Sequence, residues 1–248
     1  ALTIHAFGYL LDIYQQEKDW DKAITTARRL ETISGEKLED IIAQFYCEKS
    51  LQDLQMQNIK SAKNNLKRAL SLDSRCVRAS IMEGDIFSKD GKYQSAINSY
   101  VRVEKQDPDY VDEIIESLQK CYISIGKESK FKDYLVELMH KNHSIKSFIL
   151  LADMIAEDSG ENEAIKFISD QLKIRPTVFG VNHFMSYVIP KSDGELKNYL
   201  SLMQELTTKL LQSGSVYKCN ICGFDAKKLH WHCPGCKNWA TIKSVEIT

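Results

Sequence analysis

The sequence predicts an all-α chain, a superhelical solenoid of short helix pairs followed by a small module with four cysteines. Three observations carry that prediction. Only 4 Pro and 11 Gly occur in 248 residues, too few for a turn-rich β chain or a disordered one. Small and large apolar residues recur in a 34-residue unit along most of the chain. Two Cys-x-x-Cys pairs then crowd into 18 residues near the C-terminal end. At ~150 residues per domain, the length gives one to two domains with a substantial core.

The unit can be followed in order. Leu10, Tyr14, Ala23 and Ala27 fit a first copy, and Ala62 follows Ala23 after one unit plus five residues. Ala96 lies 34 residues beyond Ala62. Gly84, Phe87, Ala96 and Pro108 form the clearest copy, which returns 68 residues later as Ala152, Ile155, Ala164 and Pro176. Between these two, Leu118, Tyr122, Phe131 and Leu135 fit a more degenerate copy with one inserted residue. Two antiparallel helices approach closely only where one supplies small residues and the other large ones. Gly84 and Ala96 admit the neighbouring backbone, Asp90-Gly91-Lys92 makes the turn, and Pro108 stops the second helix. Residues 76–110 thus resemble a tetratricopeptide repeat. A single copy cannot bury its apolar face, so five imply a stacked solenoid over residues 1–177 with a groove along one side.

After Pro176 the pattern loosens into two helical segments, residues 178–214, expected to cap the stack. The first runs from Val178 to Val188 and stops before Pro190. The second starts at Ser192, where Ser192-Asp193-Gly194-Glu195 reads as a capping box, and carries Leu196, Tyr199, Leu200, Met203, Leu206 and Leu210 on one face. Ser213-Gly214-Ser215 then breaks the helix.

Residues 215–248 form the third segment. Cys219-x-x-Cys222 and Cys233-x-x-Cys236 stand ten residues apart, and two facing Cys-x-x-Cys turns make a closed tetrahedral site of four sulfurs. Gly223 after the first pair and Pro234 inside the second suit tight knuckles. The ion is zinc or iron. Four ligands leave no open position for hydrolytic chemistry, and a segment this short depends on its metal to fold. His230 and His232 are expected to make surface contacts, since four cysteines already fill the ligand set. Cys47, Cys76 and Cys121 sit singly at helical positions among apolar neighbours and are expected in the core. Tyr217-x-Cys219 and Cys222-Gly223-Phe224 resemble rubredoxin, although Lys237 stands where that family's second knuckle carries Gly.

Charge excludes little. Lys+Arg 33 against Asp+Glu 34 gives a net −1, and the last segment alone, with five lysines against Asp225 and Glu246, is +3. That basic face is expected to be solvated or docked on the more acidic repeats; without an aromatic platform or recognition helix, no nucleic-acid partner is expected. An odd cysteine count, paired knuckles and no signal peptide point to a reducing compartment. No apolar run approaches a membrane span. Phosphate-loop, dinucleotide, G-x-S-x-G and H-E-x-x-H motifs are missing, so no enzyme is expected. The start at Ala1, inside a helical pattern, suggests that an upstream part is missing.

Tetratricopeptide repeats ending in a rubredoxin-like module resemble the lipopolysaccharide assembly protein B (LapB, or YciM) family. The stretches that carry the resemblance are Phe45 to Glu48, Ser80 to Val103, Leu150 to Ile155 and Leu229 to Lys243. It implies metal ligands at Cys219, Cys222, Cys233 and Cys236, packing of the module on the repeats, and a non-enzymatic adaptor. Its implied partners are the membrane protease FtsH, the LpxC deacetylase whose turnover it promotes, and other lipopolysaccharide assembly proteins. The implied place is the cytoplasmic face of the bacterial inner membrane, reached through an N-terminal anchor absent from this chain; a homo-oligomer is possible. The alternative is a rubredoxin-type electron-transfer protein docking through its repeats. A carboxylate clamp for peptide tails is disfavoured, because the inner-helix positions hold Asp12, Leu51, Asp85, Lys120 and Asp153.

Overall fold

The structure, a computed structural model, describes residues 2–142, 144–214 and 216–245; Ser215 and Glu246 lie outside them. Contacts divide the chain into two compact units that meet in sequence at Pro108 and Asp109.

The first unit is three helix pairs: α1 (Leu2–Glu17) with α2 (Trp20–Ser34), α3 (Glu39–Gln55) with α4 (Ile59–Leu72), and α5 (Val77–Lys89) with α6 (Tyr93–Gln106). Short turns fold each second helix back on the first. Asp19 and Asn58 cap α2 and α4 through their side chains, accepting from the N–H of Lys22 and Ser61. The seam between the second and third pairs sets six small buried side chains, Ala43, Cys47, Ala62, Ala69, Cys76 and Ala79, around buried Leu66 and Ile86. Within the α5–α6 pair the approach is also close: a Cβ at Gly84 would stand 2.5 Å from Tyr100 Cε1. The Tyr100 hydroxyl, at the end of that ring, donates to Asp85 Oδ1 at 2.6 Å. Cys121, in the second unit, is likewise buried.

The second unit opens with a 3-10 turn (Pro108–Glu113) and continues through α7 (Ile115–Ser124), α8 (Glu128–Asn142), α9 (Ile145–Ser159), α10 (Glu161–Ile174), α11 (Val178–Val188), a 3-10 turn at Ile189–Lys191, and α12 (Gly194–Ser213). Tyr122 and Phe131, from the degenerate copy, meet across α7 and α8 at 5.6 Å. A three-stranded antiparallel sheet follows, ordered β2 (Asp225–Ala226), β1 (Tyr217–Cys219), β3 (Ile242–Ser244).

One backbone feature marks every repeat. The residue in the turn between paired helices is left-handed at Lys18, Gln57, Gly91, Gly126, Gly160 and Gly194, with φ between +56° and +93°. From Gln57 onward these positions are 34 or 35 residues apart, so α11 and α12 share the turn geometry of the pairs before them.

Three expectations are corrected. Leu10 is 39% exposed, and Leu11 is the buried residue of α1. Ser192 does not cap α12: its hydroxyl donates to Val188 O at 2.9 Å, and the N-cap is Asp193 without a side-chain bond. The chain must take a left-handed step at Gly194 to enter the helix, which turns Ser192 toward the preceding turn. Finally, the apolar face of α12 is covered only in part, with Leu200 alone half-buried. Among its described residues α12 buries none, and Leu196, Tyr199, Met203, Leu206 and Leu210 are exposed.

Candidate metal centre

Two knuckles built alike bring the four cysteines together. In the first, Gly223 N–H donates to Cys219 O at 2.9 Å with φ +74°; in the second, Lys237 N–H donates to Cys233 O at 3.0 Å with φ +61°. Lys237 therefore adopts the conformation that Gly holds in the other knuckle, despite its Cβ. Cys219 is the last residue of β1, held against Ile242 of β3, and Cys219, Cys233 and Ile242 form the buried centre of the module.

The four thiols lie within 4.8 Å of one another, with Sγ–Sγ distances of 3.7 Å for Cys219–Cys236 and 3.6 Å for Cys222–Cys233. A tetrahedral ion with sulfurs at ~2.3 Å requires sulfur pairs ~3.8 Å apart. The cage thus has the size and softness for one zinc or iron ion. Ionisation begins unevenly. Burial works against charge at Cys219, but the Thr241 hydroxyl at 3.3 Å and the N–H groups of Cys222 and Ile221 bring its thiol down to about 6. At Cys222 the Phe224 N–H pulls the other way, yet burial and the three neighbouring sulfurs push that thiol up to about 11.

The histidines are not part of the cage. His232 stacks on Trp239 at 4.4 Å, and its Nε2 lies 2.8 Å from the Lys237 carbonyl, so it braces the second knuckle.

Within the second unit the module is fastened to the 3-10 turn before α7. Tyr110 stacks on Trp231, with centroids 5.2 Å apart, and its hydroxyl reaches Ala240 O at 3.0 Å and Ile242 O at 3.1 Å. Tyr217 donates to Glu113 Oε1 at 2.8 Å. Lys243 pairs with Asp109 at 2.8 Å while lying 5.2 Å over the Tyr110 ring. Lys243 thus leaves Lys218, its cross-strand neighbour, for an acid on the repeats. Lys218, Lys227 and Lys228 remain exposed. The sequence reading missed Tyr110, Glu113 and Asp109, which lie just after Pro108, where the chain leaves the helical period.

Residues 217–244 match the family described as the rubredoxin metal binding domain. Lipopolysaccharide assembly protein B of Escherichia coli (strain K12) is 35% identical over 243 residues, covering 98% of this chain and 62% of that protein. The chain is a homologue of lipopolysaccharide assembly protein B. The Haemophilus influenzae protein of that name is 33% identical, over 97% of this chain and 61% of its own length. The chain therefore spans about three fifths of these assembly proteins. A solved structure of Pseudomonas aeruginosa pilF overlays 85% of this chain and 96% of its own, at a TM-score of 0.46 and 16% identity. Among the described residues no helix is long and apolar enough to cross a membrane.

Proposed function

We propose that the chain is a non-enzymatic adaptor in lipopolysaccharide assembly, in which Cys219, Cys222, Cys233 and Cys236 hold one structural metal ion and the repeats bind protein partners. The observation that supports this most is the closed four-thiol cage docked on a repeat turn. Four thiolates saturate a tetrahedral ion, leaving the metal to build a surface rather than to bind substrate. Repeats over residues 1–177, the terminal pair 178–214 and the metal module 215–248 are the three working parts.

The groove side offers room for a partner. In the first unit a cavity of about 280 Å³ is lined by Leu51, Leu54, Ile59, Met82 and Ile86, with Asp85, Lys89 and Asp90 supplying charge of both signs. Asp85 and Asp153 are already engaged by Tyr100 and Tyr187, which suits a fixed recognition surface better than a carboxylate clamp.

The finer reading is that the adaptor works at the cytoplasmic face of the inner membrane and promotes turnover of the LpxC deacetylase by the membrane protease FtsH. Full-length protein carrying Cys219→Ser with Cys222→Ser tests it in cells. Loss of the cage is expected to stop turnover, so that the deacetylase accumulates; unchanged deacetylase contradicts a role for the module. Crosslinking in cells is expected to capture the protease and the deacetylase on the repeats, and capture of neither contradicts the partner assignment.

A further inference from the structure

The apolar residues of α12 are laid out for pairing with another helix. Leu196, Tyr199, Met203, Leu206 and Leu210 alternate spacings of three and four, the seam of a coiled coil rather than the wider stripe of a helix laid on a globular core. All five are between 48% and 63% exposed. The side turned to α11 is a different one, where Leu200 and Leu211 are half-buried on either side of a polar cluster: Asn182 Nδ2 donates to Thr207 Oγ1 and Thr208 Oγ1, each at 2.8 Å, and lies 3.2 Å from Gln204 O. With one side already satisfied by α11, the five exposed apolar residues on the other present the kind of contiguous apolar patch that marks an interface.

The charges at the edge of the seam select the occupant. With Leu196 as position a, the g positions are Glu195, Leu202 and Lys209. In an antiparallel pair of identical helices, g positions face g positions. The register that sets Leu196 against Leu206 and Tyr199 against Met203 of the other copy also sets Glu195 beside its Lys209. Two-fold symmetry makes that ion pair twice and places Leu202 against its own counterpart. A parallel pair would put Glu195 beside Leu200 and Lys209 beside Gly214, matching no charge. Lys209 now pairs with Glu205 at 2.6 Å, an i,i+4 contact whose side chains are 66% and 61% exposed and free to exchange.

We propose that α12 is a homodimerisation helix, pairing antiparallel along this seam with α12 of a second copy of the chain. The partner it fits carries the same stripe with charges in reverse order, which a second copy supplies by symmetry alone.

Sedimentation equilibrium of the 248-residue protein tests the proposal. A dimer is expected at concentrations up to about 100 µM. Met203→Glu with Leu206→Glu is expected to give a monomer with unchanged far-UV circular dichroism, since both side chains are exposed. Glu195→Lys or Lys209→Glu alone is expected to weaken the dimer roughly tenfold, and the combined swap to restore it. A wild-type monomer throughout that range overturns the proposal. So does a dimer that survives the double glutamate change, or one indifferent to both charge reversals.

Discussion

Tyr110 and Trp231 lie ring on ring, 5.2 Å apart and within 21° of parallel, and join the metal module to a turn of the helical repeats. The contact brings together a residue just past Pro108 and one two positions before Cys233. The Tyr110 hydroxyl, shared between the Ala240 and Ile242 carbonyls, fixes the strand that backs Cys219. Tyr110→Phe keeps the stacking and removes this bond, at an expected cost of about 1–3 kcal/mol for the carbonyls left without a donor. Hydrogen exchange should then quicken over residues 217–245 while α9 and α10 stay protected. Unchanged exchange in the module would show that the hydroxyl does not hold it.

Left-handed turns give the second prediction. Lys237 and Gln57 adopt φ values of +61° and +59°, where a side chain is strained. Lys237→Gly and Gln57→Gly are each expected to stabilise by roughly 0.5–1 kcal/mol, the relief of strain exceeding the added freedom of the unfolded chain. Chemical denaturation of each variant reads this as a higher midpoint, and a lower midpoint contradicts it.

Gly84 and Gly8 separate packing from propensity. Gly84→Ala drives a methyl group into the Tyr100 ring and is expected to lose about 1–3 kcal/mol. Gly8→Ala meets nothing within 4 Å and should gain roughly 0.5–1 kcal/mol from helix propensity alone. Equal effects at the two sites in thermal melts would contradict the close approach of α5 and α6.

Acid should loosen the α9–α11 contact. Burial pushes the Asp153 carboxyl up, but the His183 ring, whose Nε2 lies 2.9 Å from it, and the Tyr187 hydroxyl, which donates to it at 2.6 Å, outweigh burial and hold it below the usual carboxylate range. A lowered carboxyl contributes stability in full above its unfolded pKa and loses it as pH falls through the folded one. Wild type should therefore melt above Asp153→Asn at about pH 7, with the gap closing toward about pH 3. A gap constant over that interval rules the linkage out.

Much of this architecture was legible because repeats impose spacing. Gly84, Ala96, Ala152 and Ala164 are small where helices touch, and the two Cys-x-x-Cys pairs announce their own convergence. The left-handed turns at Gly91, Gly126, Gly160 and Gly194 carry the same period and would have extended the pattern through α12. What stayed hidden depends on tertiary placement. Nothing local says that Tyr110 will meet Trp231, or that Lys243 will choose Asp109. Ser192 reads as a cap because the motif is local, and the left-handed step at Gly194 overrides it. The leucines of α12 have helical periodicity, which identifies a face but not whether the chain itself covers it.

The metal content of protein purified without added metal reads the four-thiol cage itself. One zinc or iron per chain is expected in the wild type and none in Cys219→Ser with Cys222→Ser. That variant should lose the order of residues 217–245 while its helices keep their circular dichroism. Wild-type protein that holds no metal and yet keeps this segment protected from hydrogen exchange would contradict it.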